Sequence, residues 1–404
     1  MISPGIIFLN RFYWPEEPAT AQLLTDLAEA LAARGHKITV ITSRPKALGI
    51  ARRETHRNVQ IIRVAGSRWG QHHLIGRAID FITFLLGSSW QLLRIADRGD
   101  KIVAMTDPPT LGLVMWPIAR LKGASISHWV QDVYPEIAAA LSSHRILRGF
   151  ATMLQPLRNF VWGHSDGCIA LGKDMAAYLA RIGVSSNKIS IIPNWSPVGL
   201  DPAPSSAVDA LRSAWKLEGK FIVMYSGNLG RVHDLEPVLE VAARLKAHSE
   251  IAFVIVGNGA QRAKLMQAAV MQKLANLHFH PAQPRTRLAE TLALGDVHLI
   301  TLLAGCEALV FPSKLYGIAA IGRPTIVIAS RECELAKIVA SHGFGAAFTR
   351  DESGAIADYL CRLATDVVEC NRLSTAAAEF SRTQGRLAHA VMAWETLLAR
   401  EATC

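Results

Sequence analysis

Residues 221–231 read Phe-Ile-Val-Met-Tyr-Ser-Gly-Asn-Leu-Gly-Arg, and this stretch decides how the second half of the chain folds. An apolar run of strand length, residues 221–225, leads into a turn with two glycines, Gly227 and Gly230, and a helical pattern begins near Leu235. This order is typical of parallel sheets covered by helices. Ligands of open parallel sheets lie beyond the carboxyl ends of the strands, so the turn is a candidate binding site.

The alternation of short apolar runs with helical patterns extends in both directions from this turn. Residues 19–34 place Leu23, Leu24, Leu27, Ala30 and Leu31 on one helical face and end at Gly35, a typical helix stop. We therefore predict an α/β protein with strands at 5–9, 38–42, 59–64, 101–105, 125–130, 167–171, 221–225, 251–256, 277–280, 297–301 and 325–328.

A cluster of prolines separates the two halves. Pro193, Pro197, Pro202 and Pro204 are followed by a polar stretch, and we place the linker at residues 193–219. Two Rossmann-like domains with parallel sheets facing each other across a cleft are expected, one over residues 1–195 and one over 196–380, with 381–404 as a final helical segment.

Composition favours a well-buried globular protein, because 50% of the 404 residues are hydrophobic and 19% are charged. No apolar run has the length of a membrane-spanning helix, and the N-terminus lacks the layout of a signal peptide, so we expect a cytoplasmic protein. The six cysteines show no metal-binding spacing, and we interpret them as reduced and structural.

Charge is uneven along the chain. The formal charge is +10, and residues 1–199 hold 22 Lys and Arg against 13 Asp and Glu. Such a basic half favours an anionic partner such as phospholipid, a phosphate-bearing substrate or nucleic acid, although a surface selected for solubility explains it equally well. The aromatic and basic modules of nucleic-acid-binding proteins are absent, so we expect no nucleic-acid partner.

Two further segments have the features of an anion-binding site. Gly257, Asn258 and Gly259 form a second turn before a helix that carries Arg262, and Ser313 and Lys314 follow Pro312 at another helix start. Glycines let backbone amides approach an anion, and helix N-termini and basic side chains add positive charge. Simple tight turns and a surface lysine are the alternative interpretation.

At these residues the sequence resembles glycosyltransferase family 4, the retaining enzymes of GT-B fold, and in particular bacterial members of the colanic-acid and exopolysaccharide type. The resemblance covers essentially the whole chain. It includes the segments 13–16, 32–40, 131–136, 192–195, 225–230, 256–259 and 312–316, whose order and spacing are together specific.

The resemblance implies transfer of a sugar from a nucleoside diphosphate sugar, UDP- or GDP-linked, with retained anomeric configuration and no required metal or cofactor. It assigns Arg231 and Lys314 to the donor phosphates and Asp132 to contact with the donor sugar or acceptor. The same resemblance assigns phosphate, ribose or sugar contacts to both glycine turns, and the final helix is expected to return to the N-terminal domain. The expected donor-binding residues are Gly227, Asn228, Gly230, Arg231, His233, Gly257, Asn258, Gly259, Arg262, Ser313 and Lys314.

Three departures from the family pattern stand out. Many members carry two glutamates eight positions apart, and Leu309 and Gly317 occupy those positions here, with Glu307 out of register. His233 replaces a lysine, so it is charged only with a raised pKa. The first loop, residues 16–20, is not glycine-rich, which predicts unusual acceptor recognition.

The resemblance also implies a lipid-linked saccharide as the acceptor. Residues 67–98 combine an apolar run with Arg68, Arg77, Arg94 and Arg98, and with Trp69 and Trp90 near its ends; residues 145–162 are similar in character. Such segments can rest on a bilayer surface, or they can be helices packed on their own sheet. With the basic first half, they predict peripheral contact with the inner face of the plasma membrane.

Other functions remain open. A sugar-nucleotide epimerase of the same fold would need no acceptor, and a lapsed nucleotide-sugar-binding subunit of a polysaccharide assembly complex would fit the missing glutamates. A dinucleotide oxidoreductase ranks lower, because no GxGxxG follows the first strand.

Overall fold

The computed structural model of the chain describes residues 4–45, 49–67, 74–141 and 145–400. Its contacts divide the chain into two compact units. The first unit comprises residues 1–194 and 387–404, and the second unit comprises residues 195–386.

The first unit is built on a sheet of mostly parallel strands. Within the described residues its order is β3-β4-β2-β1-β5-β6-β7-β8, and β3 alone is antiparallel to its neighbour. The strands are β1 Ile6–Leu9, β2 Ile38–Ser43, β3 Arg53–His56, β4 Val59–Val64, β5 Lys101–Met105, β6 Ser125–Trp129, β7 Gly167–Ala170 and β8 Ile189–Ile191. The helices are α1 Ala19–Ala33, α2 Leu74–Ile95, α3 Leu111–Lys122, α4 Glu136–Leu141, α5 Arg145–His164, α6 Lys173–Arg181 and, from the end of the chain, α15 Leu387–Arg400.

The second unit holds a fully parallel sheet of order β11-β10-β9-β12-β13-β14. Its strands are β9 Phe221–Ser226, β10 Ile251–Val256, β11 Leu277–His280, β12 Val297–Thr301, β13 Thr325–Ile328 and β14 Gly345–Phe348. Its helices are α7 Ser205–Ala214, α8 Glu236–Arg244, α9 Arg262–Met271, α10 Leu288–Leu294, α11 Lys314–Ala320, α12 Glu334–Ser341, α13 Ser353–Thr365 and α14 Val367–Gln384.

Most strands are largely buried, with exceptions that include β3, β8 and β14, because helices cover the faces of the sheets. β10 is buried along its whole length, and one face of its sheet packs against α8 and α13 while the other packs against α7. Apolar residues on both sides of a strand are what a sheet covered on two faces requires. The predicted α/β class with two parallel sheets is therefore confirmed.

The sequence missed three short strands and misread one helix. β3, β8 and β14 are absent from the predicted set, because β3 is polar and the other two are only partly buried. The predicted linker over 193–219 contains α7, so a continuous linker is wrong. Val208, Leu211 and Trp215 recur at helical spacing, and they pack against the second sheet.

Candidate donor and acceptor sites

Two glycine turns of the second unit lie directly against each other. The Gly227 amide donates to Val256 O at 2.9 Å, and the Leu229 amide donates to Asn258 O at 2.9 Å. Gly227 and Gly257 have φ of 135° and 150°. A Cβ atom on Gly257 would lie 2.0 Å from Gly227 O, so glycine at this position permits the contact between the turns.

A glutamine that sequence reasoning missed fastens the two turns together. The Gln261 side-chain amide donates to Gly230 O at 2.6 Å and to His233 O at 2.8 Å. Gly259 lies against the same turn, because a Cβ atom there would be 2.6 Å from Leu229 O. The sequence feature that could have identified Gln261 is its position, since it is a polar residue two places after Gly259.

Lys314, the first residue of α11, extends its side chain to the first turn. Its Nζ lies 3.7 Å from the centroid of the Tyr225 ring, and a Cβ atom on Gly227 would lie 3.2 Å from the same Nζ. This Nζ is buried and has no hydrogen-bond partner in the part of the chain that the structure describes. Burial lowers the pKa of Lys314 to about 7. A buried ammonium without a partner is costly unless an anion binds to it, which makes this a candidate anion site.

Tyr225 was not predicted as a site residue, although it is the penultimate residue of β9, just before the turn. Its hydroxyl donates to Asn228 O at 3.0 Å, and burial raises the pKa of Tyr225, so the ring is neutral. The aromatic face offers the Lys314 ammonium a weak attraction that holds it beside Gly227.

His233 is neutral in this structure. Burial lowers its pKa to about 3, and the nearby Lys314 charge acts in the same direction. Its Nδ1 lies 2.8 Å from Thr301 O, and because a carbonyl oxygen accepts, Nδ1 carries the proton and Nε2 is left as an acceptor. His233 therefore adds no positive charge to the site at neutral pH.

The remaining predicted site residues lie in the first glycine turn or at the starts of α9 and α11. Arg231 is exposed and forms no ion pair within the described residues. Arg262 begins α9, and its Nη1 lies 3.3 Å from Met266 Sδ. Ser313 immediately precedes α11 and is half-buried. Gly230 differs from the other turn glycines, since a Cβ atom there would meet only the Asn228 side-chain amide, at 3.2 Å.

The positions of the two family glutamates belong to the interior of the second unit. Leu309 and Gly317 are both buried. The nearby Glu307 is engaged locally, because its carboxylate accepts a hydrogen bond from the Gly305 amide at 2.6 Å. The described structure therefore offers no carboxylate at either position.

The first unit gathers charged residues at the carboxyl ends of β1, β5 and β6. The Asp132 amide donates to Thr106 Oγ1 at 3.2 Å, and Arg11 Nε lies 3.2 Å from Asp107 Oδ1. Burial and the neighbouring Asp107 raise the pKa of Asp132 to about 6. Burial also raises the pKa of Asp107, while Arg11 opposes that rise. The sequence analysis named Asp132 and missed Asp107 and Arg11. Both could have been identified as charged residues that follow a predicted strand, Arg11 after β1 and Asp107 after β5.

The described residues contain no group of three or more His, Cys, Asp or Glu side chains placed to hold a metal ion. Among them, no helix is long and apolar enough to cross a membrane.

Two α/β units with mostly parallel sheets, one of them with touching glycine turns and a buried lysine beside the ends of its strands, have an architecture typical of nucleotide-binding proteins. Residues 20–195 match the family described as Glycosyl transferase 4-like domain, and residues 208–380 match the family Glycosyl transferases group 1. The chain belongs to the glycosyltransferases, and its fold is GT-B.

Two relatives of similar length are named as glycosyltransferases. The chain is 29% identical over 344 residues to a protein of Escherichia coli (strain K12) named as a colanic acid biosynthesis glycosyl transferase, WcaI, covering 81% of this chain and 83% of that protein. It is 28% identical over 309 residues to a protein of Pseudomonas aeruginosa named as a glycosyltransferase, WbjE, covering 73% of this chain and 74% of that protein.

A solved structure shows the same fold at low identity. HepE of Anabaena, crystallised with UDP-glucose, superposes with a TM-score of 0.75 at 15% identity and covers 98% of this chain and 99% of its own.

Proposed function

We propose that this glycosyltransferase moves a sugar from a UDP- or GDP-linked donor to a lipid-linked saccharide during synthesis of a cell-surface polysaccharide, with retained anomeric configuration. The observation that carries the proposal is the buried, unpartnered Lys314 ammonium beside the touching glycine turns. The relative named for colanic acid biosynthesis and the neighbour crystallised with UDP-glucose support the polysaccharide product and the donor class.

In this proposal the second unit binds the donor diphosphate without a metal ion. Breaking the bond between the sugar and the diphosphate leaves negative charge on the phosphate, which Lys314 and Arg231 neutralise. Amides of the Gly227–Gly230 and Gly257–Gly259 turns, with Asn228 and Asn258, hold phosphate, ribose or sugar. Arg262 and Ser313 lie beside these turns, and the neutral Nε2 of His233 accepts a hydrogen bond from a donor hydroxyl.

The first unit supplies the acceptor side in this proposal. The carboxyl group of Asp132 contacts the acceptor or the donor sugar, and the raised pKa of Asp132 makes its charge sensitive to pH near 6. A lipid-linked acceptor places the enzyme at the inner face of the plasma membrane, in peripheral contact with it.

One observation favours a second candidate. Leu309 and Gly317 leave no carboxylate at the two family positions, which fits a lapsed subunit that binds nucleotide sugars without transferring them. This candidate predicts donor binding without turnover. An epimerase, in contrast, would alter the sugar nucleotide in the absence of any acceptor.

The test is a thermal-shift screen against UDP, GDP, their common sugar conjugates and NAD(P), without metal. Stabilisation by one nucleoside diphosphate is expected, because a ligand that binds the folded state raises its stability. Radiolabelled transfer from the matching sugar nucleotide to extracted lipid-linked saccharides then separates the enzyme from the lapsed subunit, and NMR of the product establishes its anomeric configuration. A response to NAD(P) alone would contradict the proposal.

A further inference from the structure

We propose that the outward faces of α2, α3 and α5 form one surface that rests on an anionic lipid bilayer. This inference extends the proposed function, since a lipid-linked acceptor is held in such a bilayer, but the surface can bind lipid without turnover. We call it the three-helix face and define it by the exposed apolar side chains of α2 and α5 together with Leu121 at the end of α3.

Two helices of the first unit expose apolar residues at regular helical spacing. Ile82, Leu86 and Trp90 recur every four residues on α2, and Leu86 and Trp90 are 67% and 59% exposed. The opposite side of the same helix packs into the core through Phe84. An amphipathic helix usually turns its apolar side inward and its polar side to water, so α2 is apolar on both sides.

The α5 helix repeats the arrangement. Met153, Leu157 and Phe160 lie on one side of it, and Met153 is 74% exposed. Its other side is fixed inside the unit by Arg158, which is buried and hydrogen-bonds Tyr134 O at 2.8 Å. The exposed side of α5 is therefore not needed for packing within the first unit.

The α3 helix joins these two exposed sides into one surface. It packs against both α2 and α5, and the Trp116 ring of α3 lies 5.9 Å from the Phe160 ring. Leu121, 76% exposed, extends the surface at its end. Contiguous exposed apolar residues on adjacent helices mark an interaction site more strongly than scattered ones do.

Cations surround the apolar residues. Arg94 lies over the Trp90 ring at 5.8 Å, and Arg94 and Arg98 are exposed and have no acidic partner within the described residues. Arg53 borders α2 through a hydrogen bond to Gln91 Oε1 at 3.0 Å. The exposed Asp97 lowers this local excess by one charge.

This combination fits a bilayer better than it fits a second copy of the chain. Tryptophan beside arginine suits the headgroup region, where the ring is partly apolar and anionic phosphates pair with guanidinium groups. A symmetric dimer through the same face would enclose Arg94 and Arg98 of both copies in one interface, with only the Asp97 carboxylates to offset them, which is unfavourable.

The membrane-contact prediction for residues 67–98 and 145–162 rests partly on residues that the structure does not describe. Arg68 and Trp69 lie outside the described residues, as do the side chains of Arg77 and of residues 145–148. The three-helix face does not include them.

The experiment uses the full chain and sedimentation with vesicles of phosphatidylcholine alone or mixed equally with phosphatidylglycerol. We expect binding to the mixed vesicles that weakens with salt, and at least about a tenfold loss in the double variant Leu86→Asp/Leu157→Asp, since charges on an apolar lipid-binding face oppose insertion. Arg94→Gln/Arg98→Gln should reduce binding to the mixed vesicles and its salt dependence.

The matched control is Val270→Asp/Met271→Asp, which changes two even more exposed apolar residues of the second unit and should bind like the unaltered chain. Every variant is first shown to keep its unfolding midpoint and its nucleotide-induced thermal shift. Absence of vesicle binding, or equal binding by the face and control variants, would overturn the inference. A dimer in sedimentation equilibrium that Leu86→Asp/Leu157→Asp dissociates would overturn it in favour of self-association. Failure of the proposed function would appear separately, as no transfer to detergent-solubilised acceptor.

Discussion

Lys314 holds its ammonium group among apolar neighbours, against the Tyr225 ring and beside the Gly227 backbone. The two nearby histidines contribute no charge at neutral pH, because burial lowers the pKa of His233 to about 3 and that of His298 to about 4. Neither histidine therefore adds to the lysine charge, and the energetic cost of burying that charge in the free protein is recovered when an anion binds.

Replacing Lys314 by methionine tests that role. Lys314→Met should weaken binding of the stabilising nucleoside diphosphate by about 10- to 100-fold, because a charged hydrogen bond to phosphate is lost. The unfolding midpoint should not fall, since an apolar chain of similar length replaces a buried charge. Isothermal titration and denaturant unfolding measure both. The control Lys246→Met alters an exposed lysine of the same unit and should change neither.

The lowered pKa of Lys314 predicts a pH dependence of donor binding. Below pH about 7 the lysine is already charged and binding is at full strength. As pH rises above that value, binding must first add a proton, so affinity should fall by up to about tenfold per pH unit until the pKa of the bound state is reached. Titration calorimetry in two buffers of different ionisation enthalpy should show proton uptake in the unaltered chain and none in Lys314→Met. A constant affinity from about pH 6.5 to 8.5 would contradict this expectation.

The two aspartates of the first unit make a separate prediction. Removing the charge of Asp107 should lower the pKa of Asp132 from about 6 toward its ordinary value, while burial still holds it raised. Carbon-detected NMR titration of the carboxyl groups in Asp107→Asn measures the shift. If Asp132 must be ionised for transfer, the loss of activity on acidification should move to lower pH in this variant. An unchanged pKa would show that Asp107 has little influence on Asp132.

At the scale of elements, the donor site depends on how closely the turns after β9 and β10 approach. Their backbones exchange hydrogen bonds, and the Gln261 side chain after the second turn donates to Gly230 O and to His233 O in the segment before α8. The pattern of two glycine turns was readable from the sequence. Their contact was not, because a glycine in a turn does not reveal which backbone lies against it.

Alanine substitutions at Gly257 and Gly230 should differ in their effect on stability, because the two glycines have different surroundings. Gly257→Ala should destabilise the protein by about 1–3 kcal/mol or more and reduce nucleotide binding, because its Cβ would lie 2.0 Å from Gly227 O. Gly230→Ala should cost less than about 1 kcal/mol, since only the Asn228 side chain is near and can move. Denaturant unfolding of the two variants provides the comparison, and equal costs would show that the turns can separate easily.

At the scale of the whole molecule, the first unit is completed by the end of the chain. Trp394 of α15 is fully buried, with its ring 6.0 Å from that of Phe8 and 5.1 Å from that of Trp129. The core of this unit therefore contains residues from β1, β6 and α15.

Removing the Trp394 side chain should lower the stability of the first unit only. Trp394→Ala should destabilise the first unit by about 3–5 kcal/mol, as expected for a large buried side chain, while nucleotide binding to the second unit persists. Met392→Ala, on the exposed side of the same helix, should change stability by less than about 0.5 kcal/mol. Calorimetric unfolding with and without nucleotide distinguishes the units. Loss of nucleotide binding in Trp394→Ala would show that the second unit requires an intact first unit.

The sequence by itself determined the class of the protein: alternating strands and helices, glycine turns after β9 and β10, and a helix start at Lys314. These features follow from local periodicity and from backbone preferences, which neighbouring residues set. Only the tertiary structure decided that Lys314 meets Tyr225 and Gly227, that His233 is neutral, and that Asp107 adjoins Asp132. Each of these depends on residues distant in the chain, or on burial by another element, and sequence spacing does not encode either quantity.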